Sequence, residues 1–309
     1  MKLLSYLRLC RFPTLFTALA DICLGFLMSH AMLQPTAEFV WLLGASAGLY
    51  LSGMVFNDVF DVKQDTQERP QRPIPSGAVP LPNAIAFGTG LMLAGIACAF
   101  LASMNSFYVA LILAATILAY DSFGKRTFLG PVLMGSCRFL NVILGASSGA
   151  AWFAIVWQNP QLWVGLSLGI YIVGVTLFAR NEAKENARVP LGIGLLIANL
   201  GLVMLALWMS GMTSRLRLFV VPGAMSGSMS VLFLLAVIAL TINRRALKAI
   251  ANPIPQEIQP TIGTMLLSLI VLDAMLIYFK LGQPGVPYAI GTVALLAPAI
   301  VLRKWISMT

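Results

Sequence analysis

The 309-residue chain has little charge, since only 10% of its residues are charged whereas a soluble domain carries about 25%. At the same time, 59% of its residues are hydrophobic. A water-soluble domain of this size could not bury so much apolar surface. The scarcity of charge therefore excludes a soluble enzyme and predicts a membrane protein that crosses the bilayer several times.

Cysteine and histidine are also scarce, with four cysteines and one histidine. Cys10, Cys23, Cys98 and Cys137 are scattered and contain no C-x-x-C pair, so we interpret them as small apolar packing residues. A single histidine, His30, cannot build a metal cage. These absences argue against a disulfide framework and against a zinc site.

The formal charge of +9 does not indicate a nucleic-acid partner. No basic run is interleaved with aromatic residues, as a DNA-binding or RNA-binding surface would require. Cytoplasmic loops of membrane proteins are enriched in lysine and arginine, which explains the excess. We therefore expect membrane lipid, and no nucleic acid, around this chain.

Apolar stretches predict an all-α bundle of nine or ten transmembrane helices, because a helix needs about 20 apolar residues to cross the hydrocarbon layer. The basic and then apolar N-terminus lacks a clear cleavage site, so we interpret it as a retained first helix. The chain is expected to be one transmembrane domain. The predicted spans are 13–32, 39–58, 82–102, 105–121, 130–152, 162–180, 189–210, 217–241, 261–280 and 287–303.

The distribution of bases predicts the orientation. If the N-terminus is cytoplasmic, sixteen of the twenty lysines and arginines fall on the cytoplasmic side, as the positive-inside rule requires. Three motif loops, near 57–80, 120–130 and 180–190, then share that side. We expect a multi-pass protein of the bacterial inner membrane with a cytoplasmic N-terminus and an undetermined oligomeric state.

A concentrated group of acids, NDVFDVKQD, follows the second span. If the helix continues, Asn57, Asp61 and Asp65 are four residues apart and share one face, with Asp58 beside them. Carboxylates this close repel one another unless a cation lies among them, and Mg²⁺ prefers such hard oxygen ligands. The alternative is a solvated helix end with scattered acids, although acids there oppose the helix dipole.

The next segment, ERPQRPIPSG, cannot be regular helix because of its prolines. Arg69 and Arg72 keep their charge and can grip phosphate with paired hydrogen bonds. After the fourth span, AYDSFGKR offers Tyr120 and Lys125 at the same membrane face. The alternatives are an ordinary positive-inside loop and an interfacial tyrosine followed by basic residues.

Polar residues also occur inside the predicted spans. Arg138 and Asn141 are three residues apart in the fifth span, and an arginine at that depth should face the bundle interior or an aqueous cavity. Asp21 and Asp273 lie within apolar spans, and the sequence does not show their partners. We expect interior roles for all four residues.

A second polar segment, ARNEAKEN, closes the sixth span. Asn181, Glu182 and Glu185 could present oxygens towards the same cation, although alternation with bases also suits a self-paired surface helix. Because four spans separate it from the first acidic segment, we expect two four-helix halves around a central cavity.

These motifs together resemble the UbiA superfamily of intramembrane prenyltransferases, over nearly the whole chain. Asn57–Asp65 reproduces the family pattern N-D-x-x-D-x-x-x-D and is followed by RPIPSG. Tyr120 to Lys125 resembles the family's Tyr–Lys motif with one more residue between them, and LRLCRFPT resembles the entry to the first helix, with Arg11 at the basic position. The segments RPQRPIPSG, GSCRFLNVILG and ARNEA resemble an EboC-like branch. The second motif departs from the family's aspartates.

The resemblance implies Mg²⁺-dependent transfer of a prenyl group from a polyprenyl diphosphate to a lipophilic, aromatic acceptor within the membrane. It implies metal ligation by Asn57, Asp58, Asp61, Asp65, Asn181, Glu182 and Glu185. It implies substrate binding by Arg11, Arg69, Arg72, Tyr120, Lys125 and Asn141, and catalysis by Asp61, Asp65, Lys125 and Arg138.

Two other functions stay open at this point. The weakened second motif would suit a non-catalytic relative that binds or translocates a lipophilic metabolite. An ion-coupled transporter would need intramembrane acids as its relay, and Asp21 and Asp273 are the candidates. Release of diphosphate from labelled prenyl diphosphates separates the enzyme from the carrier.

Overall fold

A computed structural model describes residues 2–148, 160–180, 188–212, 228–303 and 306 of the chain. These residues form helices and short connections, with no strand among them. Nine described helical segments are long and apolar enough to cross a membrane, and the 17-residue helix Gly130–Ala146 is a shorter apolar one. The prediction of an all-α bundle with nine or ten spans is therefore confirmed.

The helices are numbered here in chain order. Three 3₁₀ turns, Phe12–Thr14, Gly124–Arg126 and Gln283–Gly285, lie between them. The helices are α1 (Lys2–Leu9), α2 (Leu15–Ser29), α3 (Thr36–Phe60), α4 (Val62–Glu68), α5 (Leu81–Ala102), α6 (Met104–Ser122), α7 (Gly130–Ala146), α8 (Pro160–Arg180), α9 (Arg188–Met209), α10 (Ser228–Ala251), α11 (Pro255–Leu281), α12 (Val286–Ala294) and α13 (Leu296–Leu302).

The predicted eighth span, 217–241, ends too early in the chain, and its first residues lie outside the described part. Helix α10 continues ten residues beyond it, to Ala251. It carries Arg244, Arg245 and Lys248 in its last turns, where bases interact favourably with the C-terminal end of the helix dipole. Apolar composition marks the hydrocarbon-spanning part of a helix, whereas backbone hydrogen bonding extends the helix past it.

The first four spans form one contiguous group, in which α3 packs against α2, α5 and α6. The next four follow in order, with α7 against α8, α8 against α9, and α9 against α10. Helix α11 closes the ring, since it contacts α10, α8 and α2. Two large apolar cores result, one in each half, and α2 contributes residues to both.

Small residues let the central helices approach each other closely, as is usual for helix pairs in membranes. A Cβ atom added at Gly25 of α2 would lie 2.1 Å from the carbonyl oxygen of Val142 in α7. A Cβ atom at Gly145 of α7 would lie 2.8 Å from the carbonyl oxygen of Ile22. Helices α2 and α7 are therefore in backbone contact, which brings their polar side chains together.

The segment between α4 and α5 is a series of turns, as its prolines predict. Helix α4 ends at Glu68 and α5 begins at Leu81. Gly77 has a φ of +76°, a left-handed conformation that glycine adopts without steric cost. Ile74 and Val79 are buried beneath it in a small cluster with Leu9 and Val55. This packing holds Arg72 beside the end of α3.

Candidate active site

A cavity of about 960 Å³ opens between the ends of α3 and α6 and continues into the bundle. Its size suits a ligand larger than a typical small metabolite. Helices α2, α3, α4, α6, α7, α8 and α11 contribute to its wall. It is lined by every predicted site residue that lies in the described part of the chain, namely Arg11, Asn57, Asp58, Asp61, Asp65, Arg69, Arg72, Tyr120, Lys125, Arg138 and Asn141.

The acidic motif lies at the outer end of this cavity, which we call the mouth. Asp61 falls between α3 and α4, so the helix is interrupted at the middle of the motif. Hydrogen bonds still span the interruption, because the Asp61 N–H donates to the Asn57 carbonyl at 3.2 Å and the Asp65 N–H donates to the Asp61 carbonyl at 2.8 Å. Asn57, Asp61 and Asp65 therefore remain on the cavity side.

Asp58 and Asp65 are each paired with arginine. Arg72 Nη1 lies 2.6 Å from Asp65 Oδ2 and 3.3 Å from Asp58 Oδ1. Arg11 Nη2 lies 3.3 Å from the same Asp58 oxygen. The side chains of Asp58 and Asp65 are only 6% exposed, so these are largely desolvated pairs that fix the arginines at the mouth.

Arg11 holds this position with an unusual backbone. Its φ of 43° and ψ of 49° place it in the left-handed region, which costs a non-glycine residue free energy. Its carbonyl accepts hydrogen bonds from the Thr14 N–H at 3.0 Å and the Thr14 hydroxyl at 2.7 Å. These bonds stabilise the tight turn that separates α1 from α2 and directs the arginine to Asp58.

Cys10 lies beside this arginine and is a buried, protonated thiol. Burial, with a smaller contribution from the charge of Asp58, raises the pKa of Cys10 to about 12. A thiol with such a pKa is almost entirely neutral at pH 7, and only the thiolate is a good nucleophile. Cys10 is therefore a packing residue, in the small apolar cluster with Leu9 and Val55.

Asp61 is paired with the bases of the loop after α6. Lys125 Nζ lies 2.7 Å from Asp61 Oδ2 and donates to the Asn57 carbonyl at 3.1 Å. Arg126 Nη2 is 3.4 Å from Asp61 Oδ1 and is largely exposed. The extra residue in the Tyr–Lys motif thus does not prevent Lys125 from reaching the acidic motif.

Asp121 also lies at the mouth, although the sequence motifs did not predict it as a site residue. Its Oδ1 accepts a hydrogen bond from Asn57 Nδ2 at 3.1 Å, and its buried Oδ2 has no hydrogen-bond partner among the described residues. A carboxylate can only accept, so this bond fixes the amide of Asn57 with its nitrogen towards Asp121. The Asn57 side-chain oxygen is then left to face another group.

The oxygens at the mouth suit a hard divalent cation. They come from carboxylates and one amide, and within the described part of the chain the buried Asp121 Oδ2 lacks a partner. In the described ranges, no three acidic, histidine or cysteine side chains are close enough to enclose a metal ion. Because Mg²⁺ keeps several water or phosphate ligands, a metal held here by Asn57 and one or two of Asp61, Asp65 and Asp121 would share its coordination with a ligand.

The inner end of the cavity, which we call the floor, is built on the contact between α2 and α7. Arg138 forms an ion pair with Asp21 Oδ2 and donates to the carbonyl and hydroxyl of Thr17 at 3.0 and 3.1 Å. Asn141 Nδ2 donates to Asp21 Oδ2 at 2.9 Å. Asp21 is therefore the partner that the sequence could not supply for Arg138.

The other predicted site residues either lie outside the described ranges or line the cavity without forming an ion pair within those ranges. Asn181, Glu182 and Glu185 lie outside the described residues, so the second acidic motif stays a prediction. Arg69 is exposed at the mouth and has no ion-pair partner in the described part of the chain. Tyr120 also lines the cavity, half-buried.

The sequence motifs did not predict three further residues that line the cavity, Thr14, Thr17 and Tyr50. Tyr50 lies seven residues before Asn57 on α3, on the same face two turns earlier, and this spacing is the signal that could have identified it. Thr14 and Thr17 carry no sequence signal of their own, because hydroxyl residues are common in transmembrane helices.

The fold and the paired charges at the cavity mouth define an intramembrane helical protein with a site for an ionic ligand. A model of the UbiA prenyltransferase family matches residues 18–256, which is more than half of the chain. The chain belongs to the UbiA prenyltransferase family, and it is a multi-pass integral membrane protein.

Curated relatives and solved structures are similar to it. The digeranylgeranylglyceryl phosphate synthase of Saccharolobus solfataricus is 32% identical over 159 residues, which cover 51% of this chain and 55% of that protein. The chain covers about half the length of the curated relatives it matches.

Solved structures share the fold over almost their whole length. An apo UbiA homologue from Aeropyrum pernix K1 superposes with a TM-score of 0.64 at 17% identity, covering 84% of this chain and 97% of that one. A UbiA homologue from Archaeoglobus fulgidus bound to GPP and Mg²⁺ has a TM-score of 0.62 at 14% identity, covering 94% and 99%.

Proposed function

We propose that this protein transfers a prenyl group from a polyprenyl diphosphate to a lipophilic acceptor inside the membrane, with Mg²⁺ as cofactor. The observation that carries the proposal is the convergence of Arg11, Asp61, Arg72 and Lys125 at the mouth of one cavity. These residues come from three separate segments. The homologue with GPP and Mg²⁺ bound supports the same ligands here.

The bases at the mouth would bind the diphosphate. Arg11, Arg72 and Lys125 are partly exposed to the cavity, at 21%, 15% and 11% of their side-chain surface. Their positive charge stabilises negative charge that develops on the departing diphosphate oxygen. Mg²⁺, when bound, supplies further positive charge at the same oxygens.

The walls between mouth and floor would hold the prenyl chain. Leu113 and Ile117 of α6, Val175 of α8, and Ile262 and Leu266 of α11 line this part of the cavity. Apolar walls exclude water, which protects an allylic carbocation from hydrolysis. We propose that the acceptor enters the same apolar space. The relatives' name suggests a glyceryl phosphate lipid as one acceptor, and an aromatic ring is the other.

The test is an assay of purified protein with labelled geranylgeranyl diphosphate, Mg²⁺ and a panel of acceptors. We expect diphosphate release and a prenylated product from the wild type. Asp61→Asn should reduce diphosphate release on the order of 10²-fold and should weaken Mn²⁺ binding measured without substrate. Glu257→Gln, which alters a half-buried acid that does not line the cavity and whose ion pair among the described residues is with Lys248, should match the wild type.

The carrier function remains the second candidate because Asp58, Asp61 and Asp65 are all paired with the chain's own bases, and no described cluster encloses a metal. Tight binding of prenyl diphosphates without diphosphate release, across the whole acceptor panel, would contradict transfer and support the carrier.

A further inference from the structure

The floor of the cavity presents one cationic side chain to a ligand. Arg138 lines the cavity and keeps 9% of its side-chain surface exposed, whereas Asp21 behind it is fully buried. Half-buried Tyr50 and buried Thr14 line the same region. A ligand that reaches the floor therefore meets Arg138 before it meets Asp21.

Arg138 has hydrogen-bonding capacity left. A guanidinium carries five N–H groups. The described residues use three of these bonds, one to Asp21 Oδ2 and two to Thr17. Two N–H groups therefore remain for a ligand oxygen.

Asn141 has no such capacity, although it also lines the cavity. Its amide nitrogen donates to the Ala18 carbonyl and to Asp21 Oδ2, both at 2.9 Å. Its oxygen accepts from the Ser46 hydroxyl at 2.8 Å. Since both N–H groups are used, Asn141 orients Asp21, and Arg138 is the donor that the ligand meets.

The charge of Arg138 is already compensated. Arg138 forms an ion pair with the fully buried Asp21, and Asp273 of α11, also fully buried, is close enough to interact electrostatically with both. With one arginine and two acids, the floor has a net charge of zero if Asp273 holds a proton and −1 if it does not. An anion placed there would find no net positive charge to attract it. In a medium of low dielectric constant, its burial is therefore unfavourable.

The floor is also separate from the anion-binding mouth. Tyr50 at the floor and Asn57 at the mouth are seven residues apart on α3, which corresponds to roughly 10 Å. The free bases that could accept an anion, such as Arg69, lie at the mouth. The two ends of the cavity therefore favour chemically different groups.

We propose that the floor binds an uncharged oxygen of the acceptor, such as a phenol, quinol or alcohol group, through the two free N–H groups of Arg138. Asp21 is the positioning residue that holds Arg138 and excludes acceptors with a carboxylate at this position. The inference rests on the proposed function and assigns the chemical class of its acceptor.

The test uses two acceptors that differ by one carboxylate, 1,4-dihydroxynaphthalene and 1,4-dihydroxy-2-naphthoate. Their affinities are measured by equilibrium binding to the purified protein, and their kcat/KM values are measured with geranylgeranyl diphosphate and Mg²⁺. The wild type should favour the neutral quinol about tenfold or more in both measurements. A wild-type preference for the carboxylate would overturn the inference.

Variants identify the residues. Asp21→Asn removes the compensating charge, so the preference should shift about tenfold or more towards the carboxylate, which a purely structural defect would not produce. Asp21→Glu keeps the charge and should keep the wild-type preference. An unchanged preference in Asp21→Asn would overturn the inference.

The double variant Asp21→Asn with Arg138→Gln covers the case in which Asp21→Asn alone fails to fold, because it leaves no unpaired charge. It should lose affinity for the neutral quinol and gain none for the carboxylate. Retention of wild-type quinol affinity would show that the floor is not the site. If the wild type binds the quinol but releases no diphosphate, the proposed prenyl transfer is wrong. The measured preference between the two acceptors still tests the proposal for the floor.

Discussion

Arg11 combines an ion pair at the mouth with a left-handed backbone, and the two features have opposite effects on stability. The pair with Asp58 brings opposite charges within 3.3 Å where little water screens them, so their Coulomb attraction is stronger than at an exposed surface. The positive φ of 43° costs an L-residue on the order of 1 kcal/mol. Retaining a strained arginine where a glycine would fit is the pattern found at functional sites.

Comparison of Arg11→Ala with Arg11→Gly isolates this backbone cost. Both variants lose the pair with Asp58, but only glycine adopts the left-handed region freely. Arg11→Gly should therefore be more stable than Arg11→Ala by about 1 kcal/mol, measured by unfolding in detergent. Equal stability would show that the turn does not strain the chain.

At the residue scale, the sequence predicted the mouth better than the floor. The N-D-x-x-D-x-x-x-D pattern identified Asn57, Asp61 and Asp65, because local spacing places them together. The partners of Arg138 could not be predicted, since Asp21 lies 117 positions away and only the packing of two helices brings it near. Asp121 was missed because its role depends on the orientation of the Asn57 amide.

At the scale of elements, the contact between α2 and α7 positions the floor. Gly25 of α2 lies one turn beyond Asp21, and Gly145 of α7 lies one turn beyond Asn141. Their backbones are close enough that a single methyl group at Gly25 would collide with the carbonyl of Val142. A carbonyl cannot move without the helix that carries it, so the helices themselves must separate.

Gly25→Ala should therefore destabilise the protein by about 1–3 kcal/mol and should weaken binding of the quinol at the floor. Gly90→Ala on α5 is the matched control, because nothing lies within 4 Å of the added carbon and alanine favours helix by up to about 1 kcal/mol. Unfolding in detergent compares the two. Wild-type stability in Gly25→Ala would contradict the backbone contact.

The amino-acid composition predicted that each transmembrane helix exists, but it did not predict where each helix ends. All ten predicted spans have a helix in the described residues, because long apolar runs are unambiguous. The end of α10 was missed by ten residues because polar residues continue a helix after the apolar run has stopped. The interruption at Asp61 was missed because no glycine or proline marks it.

At the scale of the whole molecule, the mouth defines one side of the bundle, and the positive-inside rule predicts that this side faces the cytoplasm. Ser76, near the mouth, and Ala31, in the loop after α2, are both exposed and lie at opposite ends of the spans. We propose that the N-terminus and the mouth are cytoplasmic.

Cysteine labelling tests this orientation. In intact cells, a membrane-impermeant thiol reagent should label Ala31→Cys and should leave Ser76→Cys unlabelled. In inside-out vesicles the pattern should reverse, with the unsubstituted chain as the control for its own cysteines. The opposite pattern would place the mouth on the external side.

The mutual pairing of acids and bases at the mouth has a consequence for selectivity. Asp58, Asp61 and Asp65 already satisfy Arg11, Lys125 and Arg72. A lone cation would have to compete with those bases, and a lone anion would have to compete with those acids. Only a ligand that carries both charges, such as a complex of a metal ion with a diphosphate, can offer a new partner to each of these six side chains. We therefore expect the mouth to bind a metal ion and a diphosphate more tightly together than it binds either one alone.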